Sequence, residues 1–458
     1  MWKFLANNYV YDGVAGRLFK LDANMFAEVY KSIETHKEQY QTIEFPGLGR
    51  YSNARHENAT PSLSRGRSHF RHIVVVLTEK CNLACSYCPY PADETRSHHM
   101  GGKFHSASEL NNIIKFLAQN IESDTTLSFY GGEPLLRFKD MERVVESLAA
   151  LRTDWQGRFS LTSNFTFYSD NIGAYLANSK AVMLLSIDGP KHTHDSKRIM
   201  FSGQSSFDKA TNNIQRLKAS HPEFYRTRVG INSVISTTNF NEIDEFFKEH
   251  FSEVSLIRFS VVQNFDTNNI GFDEIGGIKL ALEVWATERL LSLSSVEALA
   301  YSPLALDFAR KTLQPIMSRA NVSFEQKRFT SCQPGDKLVI NSDLSFGVCE
   351  KTERISQGSI QAGFTGSDAV ALEFSTMLEN RCKYCFASPM CSVCYATIWD
   401  GTKLSRERLD RYCNDFRSRT RRILEVYVKL RDKFENFDQR ISAIMAEGTV
   451  QFNDLEDM

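Results

Sequence analysis

The sequence predicts an α/β chain built on a partial (β/α)6 barrel, with a small α+β unit before it and a cysteine-rich domain after it. Three observations predict this. Between about residues 70 and 265, short apolar runs alternate with stretches of helical periodicity, which implies a parallel sheet. The first run, Ile73-Val74-Val75-Val76-Leu77, is apolar without alternation, as expected of a strand buried on both faces. The 10 cysteines fall into a group of three, Cys81, Cys85 and Cys88, and a group of seven that begins at Cys332.

The elements follow in order. Residues 1–69 hold a small unit and a linker. Tyr9-Val10-Tyr11 and Arg17 to Leu21 are strand-like, with hairpin signals at Asp12-Gly13 and Ala15-Gly16. A helix is predicted from about Asn24 to Lys37, and 46–69 is rich in Gly, Ser, Pro, Asn and Arg. In the barrel, 70–265, strands are expected near 73–77, 126–130, 159–163, 181–187, 228–235 and 256–262. Helices are expected between them, near 107–121, 137–151, 169–178, 207–219 and 240–250. Right-handed crossovers curl such a sheet toward a partial barrel with its chemistry at the C-terminal strand ends. A helical bridge, 266–330, then leads to the cysteine-rich domain, 331–416, and 417–458 reads as one long amphipathic helix and a tail.

Composition narrows the function classes. The 458 residues are 42% hydrophobic and 24% charged, an ordinary globular balance with ample material for a core. Lys+Arg 54 against Asp+Glu 55 gives no electrostatic reason to expect a nucleic acid or membrane partner. No basic segment leads into a long apolar run at the N-terminus, and no apolar run is long enough to span a bilayer. A cytoplasmic, reducing setting is expected, where clustered cysteines read as metal or redox ligands.

Thr78-Glu-Lys-Cys81-Asn-Leu-Ala-Cys85-Ser-Tyr-Cys88 directly follows the first buried strand. Three thiolates on one loop can hold three irons of a [4Fe–4S] cube and leave the fourth open. A zinc or structural cluster is the competing reading of this triplet taken alone. Phe129-Tyr130-Gly131-Gly132-Glu133-Pro134, Thr162-Ser163-Asn164 and Ser186-Ile187-Asp188-Gly189-Pro190 with His194-Asp195 and Arg198 follow at successive strand ends. Together these motifs resemble the radical S-adenosylmethionine (SAM) superfamily, over about residues 70–265, and its peptide- and protein-modifying members in particular. The resemblance implies a radical SAM barrel in which Cys81, Cys85 and Cys88 bind the SAM cluster. It places Gly131, Gly132 and Glu133 at the methionine amino group, Ser163, Asn164, Ser186 and Asp188 around SAM, Arg198 at its carboxylate and Tyr87 against the adenine.

The late group is Cys332, Cys349, Cys382, Cys385, Cys391, Cys394 and Cys413. It resembles the seven-cysteine SPASM extension, which houses two auxiliary [4Fe–4S] clusters, although Cys391 and Cys394 are one residue closer than the family pattern and Leu344 replaces a glycine. A zinc ribbon is the competing reading. Two full cubes need eight cysteines, so seven leave one position open or filled by another residue. The family's ligation pattern groups Cys382, Cys385, Cys391 and Cys413 in one cluster and Cys332, Cys349 and Cys394 in the other.

The expected activity is therefore that of a radical SAM maturase of a ribosomally made precursor peptide, forming a thioether from a Cys sulfur to an acceptor carbon. Formylglycine generation in a sulfatase and carbon–carbon crosslinking of aromatic side chains are the enzymatic alternatives. A zinc-stabilised peptide-binding module is the non-enzymatic one. Glu350, next to Cys349, is the candidate base toward a substrate thiol if burial raises its pKa, or else one charge of a surface run. The expected partners are a leader-bearing precursor peptide and a flavodoxin- or ferredoxin-type electron donor. The N-terminal unit resembles the start of a leader-peptide recognition element.

Overall fold

A computed structural model describes residues 2–13, 17–35, 43–45, 49–51, 70–88, 92–93, 96–97, 104–262, 272–318, 337–350, 356–364, 367–382 and 385–446. Cys332, His98-His99 and most of the 46–69 linker lie outside the described residues.

Six strands form the barrel sheet in sequence order: His72–Thr78, Thr126–Gly131, Phe159–Ser163, Ala181–Ser186, Val229–Ile235 and Leu256–Val261. Every neighbouring pair among them is parallel. Helices lie where the periodicity expects them, at Ala107–Asn120, Phe138–Leu151, Asp170–Asn178, Ser206–Ser220 and Phe240–His250. A short additional helix, Pro222–Arg228, starts on its proline. The Ala107–Asn120 helix opens with a full capping box, in which Ser106 and Glu109 satisfy each other's backbone amides.

Register assigns the two faces of the sheet. Ile73, Val75, Leu77, Leu127, Phe129, Phe159, Leu161, Met183 and Ile231 share the face that packs under the helices in the largest apolar cluster. His72, Val74, Val76, Ser128, Tyr130, Ser160, Thr162, Val182, Ser186 and Asn232 share the opposite face, which lines the lumen. Partial exposure of Val76, Tyr130, Thr162, Val182 and Asn232 follows from this alternation.

The cysteine-rich region is joined directly to this sheet. Its first described strand, Lys337–Ile340, pairs in parallel with His72–Thr78, and three antiparallel strands, Ser345–Gly347, Ser356–Ser359 and Gly363–Phe364, extend the sheet to ten. Leu338 and Ile340 enter the main core, so Lys337 and Val339 face the lumen.

The bridge is helical, with Phe272–Ser292, Glu297–Tyr301, Pro303–Thr312 and Gln314–Ser318. The C-terminal helix differs from the single unit expected at 417–446. It begins at Arg406, its N-terminus capped by Ser405, and runs to Lys433, so that Cys413 lies on it. The chain then turns through Asn436, at φ 54°, into a second helix, Phe437–Ala446. The helix's basic face is also not wholly free: Arg422 and Arg419 reach the buried Glu283 of the bridge at 2.6 and 3.5 Å.

The N-terminal unit is a three-stranded antiparallel sheet, Trp2–Phe4, Tyr9–Asp12 and Arg17–Lys20, with the helix Ala23–Thr35. The first strand lies outside the sequence-predicted hairpin. Leu5, Tyr9 and Tyr11 pack into one apolar cluster with the bridge and the C-terminal helices. Asn7, Tyr9 and Lys20 all reach Asp432.

Replacing Glu283 by Ala removes the carboxylate that joins the bridge to the C-terminal helix. Hydrogen bonds to charged groups contribute about 1.5–3 kcal/mol. Both arginines are half exposed and can be rehydrated, so denaturant unfolding should show Glu283→Ala destabilised by about 1–2 kcal/mol.

Candidate active site

The first cysteine loop leaves the end of the His72–Thr78 strand. Cys85 lies in a short strand, Leu83–Cys85, that pairs antiparallel with Arg198–Met200, and Arg198 sits opposite Cys85. The Cys88 amide donates to the Cys85 carbonyl at 3.0 Å, turning the loop back. Burial pushes the Cys81 thiol up to about 12, with Glu133, Cys85 and Cys88 all within electrostatic reach. Burial likewise pushes Cys85 up to about 12, against the pull of Arg198. Three partly buried thiols on one loop, beside an arginine, are a donor set that suits iron–sulfur ligation. Among the described residues, no group of three or more His, Cys, Asp or Glu side chains is closed up around a single-ion site.

The Gly-Gly-Glu-Pro turn is built against this loop. A Cβ on Gly131, whose φ is +140°, falls 2.1 Å from the Thr78 carbonyl oxygen, and one on Gly132 falls 2.1 Å from that of Lys80. The close approach lets the Gly132 and Glu133 amides donate to the Thr78 and Lys80 carbonyls, each at 2.8 Å. Glu133 is fully buried. Its Oε1 accepts from the Leu135 amide and the Ser163 hydroxyl, and its Oε2 accepts from the Asn164 amide. Burial raises its pKa to about 7, against these three donors. Asn164 continues the network, its amide donating to Asn82 Oδ1 at 2.9 Å and lying 3.8 Å from the Cys81 sulfur.

A second buried carboxylate organises the other side. Asp188 is inaccessible to solvent and accepts four hydrogen bonds. They come from the Tyr87 hydroxyl, from Arg198 Nε at 3.0 Å and its terminal nitrogen at 3.2 Å, and from the Val234 amide at 3.0 Å. The Arg198 guanidinium also lies 5.5 Å from the Tyr87 ring centroid. Tyr87 and Arg198, both expected at SAM, are thus held by the same anion. Ser186 ends the fourth barrel strand on the lumen face, buried. Of the neighbouring motif, His194 is buried and accepts from the Asp188 amide through Nδ1, while Asp195 caps the next helix through Ser205, Ser206 and the Phe207 amide.

The seven-cysteine region forms its own small core. Cys349, Cys382, Cys391, Cys394 and Cys413 pack against Val348, Phe374, Leu378, Tyr395 and Leu409. The charges that act on Cys391 come from Cys382, Cys413 and Cys385. The hydroxyl of Tyr395, the residue after Cys394, donates to the carbonyl of Val348, the residue before Cys349, at 2.8 Å. That bond brings the Cys349 and Cys394 segments together.

Two residues of the site were not singled out from the sequence. Tyr130 lies one residue before the end of the second barrel strand, on the lumen face. Burial raises its pKa, with Glu350, Cys88 and Cys349 adding to the rise and Arg198 opposing it. Residues of both cysteine groups, Cys88 and Cys349, are thus close enough to Tyr130 to act on it electrostatically. Lys337 forms an ion pair with Glu350 at 2.7 Å, the two side chains only 6% and 11% exposed. Glu350 is thus a nearly buried, paired carboxylate rather than one charge of a surface run.

Residues 75–249 match the radical SAM superfamily. This stretch is a radical SAM domain, of a superfamily whose members bind SAM and a [4Fe–4S] cluster, and the chain that carries it is an enzyme. Among its relatives, a cysteine-type anaerobic sulfatase-maturating enzyme of Clostridium perfringens is 20% identical over 351 residues, 74% of this chain and 91% of that one. The radical SAM cyclopropyl synthase TigE of Paramaledivibacter caminithermalis is 25% identical over 203 residues, 40% of each chain. A solved anaerobic sulfatase maturase with bound AdoMet shares the fold, with a TM-score of 0.56 at 19% identity over 78% of this chain and 98% of that one.

Gly132→Ala should displace the cluster loop, because the new methyl meets backbone that cannot rotate away. Iron per chain should fall by about four, the content of one cube, with loss of reductive SAM cleavage. A separate expectation concerns acid. Burial, followed by Arg198, lowers the His194 pKa to about 4 from an ordinary 6.5. The unfolded chain binds this proton as pH falls below 6.5, while the folded chain resists it until about 4. Stability should therefore decline across that window, and His194→Asn should flatten the slope in parallel unfolding series.

Proposed function

We propose that the enzyme modifies a side chain of a ribosomally made precursor peptide, joining a Cys sulfur to an acceptor carbon as a thioether. The observation that carries this reading is the position of Tyr130. It lies on the lumen face, within electrostatic reach of Cys88 and of Cys349 and Glu350. A peptide residue seated against Tyr130 faces the SAM region and the second cysteine region at once.

In this reading Cys81, Cys85 and Cys88 hold the SAM cluster, and Gly131, Gly132, Glu133, Ser163, Asn164, Ser186 and Arg198 shape the SAM cradle. Tyr87 closes it, and Asp188 fixes Tyr87 and Arg198. When bound, reduced cluster and SAM supply a 5′-deoxyadenosyl radical that takes a hydrogen atom. The lumen wall holds the peptide and keeps water from the reacting carbon. Glu350 would accept the thiol proton. Cys382, Cys385, Cys391 and Cys413, and Cys332, Cys349 and Cys394, would hold two auxiliary clusters as electron acceptors. The electron donor to the SAM cluster would be a flavodoxin- or ferredoxin-type protein, and the N-terminal unit would contact the leader.

The likeness to cysteine-type sulfatase maturases supports a second reading of the same site, oxidation of Cys to formylglycine. A solved maturase of that kind with AdoMet and a peptide shares this fold at a TM-score of 0.53. Anaerobic turnover of a candidate Cys-containing precursor should separate the two by mass spectrometry. A thioether product is two hydrogens lighter, keeps its sulfur and no longer reacts with iodoacetamide. A product that has lost sulfur selects the second reading, and cleavage of SAM with every peptide left unaltered sinks both.

A further inference from the structure

Lys337 is the one lysine that the sheet register places on the lumen face of the described barrel and the strand added to it. It sits opposite His72, at the start of the strand that joins the cysteine-rich domain to the barrel. Its flexible stem costs conformational entropy to order, and its ammonium loses water on burial. Such a residue is expected at the surface unless it has a partner and a reason to be inside. The partner is Glu350, at 2.7 Å.

The geometry around the pair is specific. Glu350 follows Cys349, whose sulfur lies 3.6 Å from Glu350 Oε2. The carboxylate acts electrostatically on both Tyr130 and His72. His72 stays neutral, held by burial and by the Lys337 charge, and is hydrogen-bonded to Ser128, which bonds Ser160 in turn. Among the described residues, the ammonium of Lys337 is a cation seated against Glu350. A glutamate side chain has several rotamers, and an ion pair to a residue on a strand selects among them.

We propose that Lys337 is a positioning residue for the reaction: its ammonium pins Glu350 to the lumen wall between Tyr130 and Cys349 and so sets how the peptide is presented to the radical. It is not a catalytic residue, because it acts through Glu350. The inference rests on the proposed peptide-modifying function, and it also makes a claim about the resting protein that does not depend on any substrate.

Two measurements on the cluster-loaded enzyme test it. The first is carbodiimide footprinting of Glu350, read by peptide mass spectrometry without substrate. Glu350 should be protected in the native enzyme and in Lys337→Arg, and labelled at least about tenfold faster in Lys337→Met, which keeps the stem and deletes the charge. The second is the ratio of modified peptide to 5′-deoxyadenosine. Small misplacement of a reacting group costs on the order of tenfold to a hundredfold, so Lys337→Met should lose at least about tenfold in this ratio. Iron content and SAM cleavage should be retained, and Lys337→Arg should recover to within about threefold of the native ratio.

If Lys337→Met folds poorly, Lys337→Met with Glu350→Gln removes both charges together and leaves no unpaired one inside. Its ratio should then equal that of Glu350→Gln alone, because the two residues act as one unit. Unchanged labelling in Lys337→Met overturns the inference, as does a ratio within twofold of native, an Arg variant as poor as the Met variant, or additive loss in the double variant. If the native enzyme modifies no peptide, the functional reading fails and the footprint alone decides whether Lys337 holds Glu350.

Discussion

A carboxylate with no access to water must be satisfied by hydrogen bonds, and Asp188 meets that requirement with groups from three separate segments. Tyr87 comes from the first cysteine loop, Arg198 from the short strand that pairs with that loop, and the Val234 amide from the fifth barrel strand. The loop is irregular and carries three partly buried thiols. Only a fixed scaffold keeps such a loop in one conformation. Removing the carboxylate would leave an arginine charge inside without its counter-charge, a cost of about 3–5 kcal/mol for a buried pair. The order of the first cysteine loop therefore depends on a buried anion.

Glu133 plays the corresponding part on the opposite flank. Its three donors come from its own turn and from the end of the third strand, while the glycines before it bring the turn onto the backbone of the cysteine loop. The loop is thus clamped from two sides by buried carboxylates with different environments. Asp188 is balanced by a guanidinium, whereas Glu133 has only neutral donors, and its pKa rises to about 7. Both expected roles, SAM contact and loop support, draw on the same short motifs, because the residues that shape a cradle must themselves be held.

Much of the fold was legible because the barrel strands and helices differ in period. Continuous apolar runs and amphipathic stretches located the six strands and the helices between them. The division of each strand into core and lumen faces was not legible, since a strand buried on both faces gives no alternation. Tyr130 was missed for that reason: it reads as one more apolar residue before a glycine turn, and only its register beside Val76 shows which way it points. The C-terminal helix was begun too late because the dense cysteines between 382 and 413 suggested irregular chain. Ser405 at the cap, followed by Glu407 in the first turn, was a start signal available in the sequence. Asn436, in a left-handed conformation, ends the idea of one continuous helix.

Lys337 was illegible for a deeper reason. Sequence reading treats a lysine beside an apolar triplet as the exposed end of a strand. Here that strand does not stand at an edge: it is hydrogen-bonded on both sides, by His72–Thr78 in parallel and by Ser345–Gly347 antiparallel. A residue beginning such a strand must point either under the helices or into the lumen, and Leu338 has already taken the first direction. Placing a charge in the lumen then demands an opposite one nearby, and the chain supplies it 13 residues later, at Glu350, across two strands and a turn. The parallel join between the cysteine-rich domain and the barrel thus has a chemical consequence. It carries a cation onto the barrel wall, and the carboxylate beside Cys349 pairs with it there.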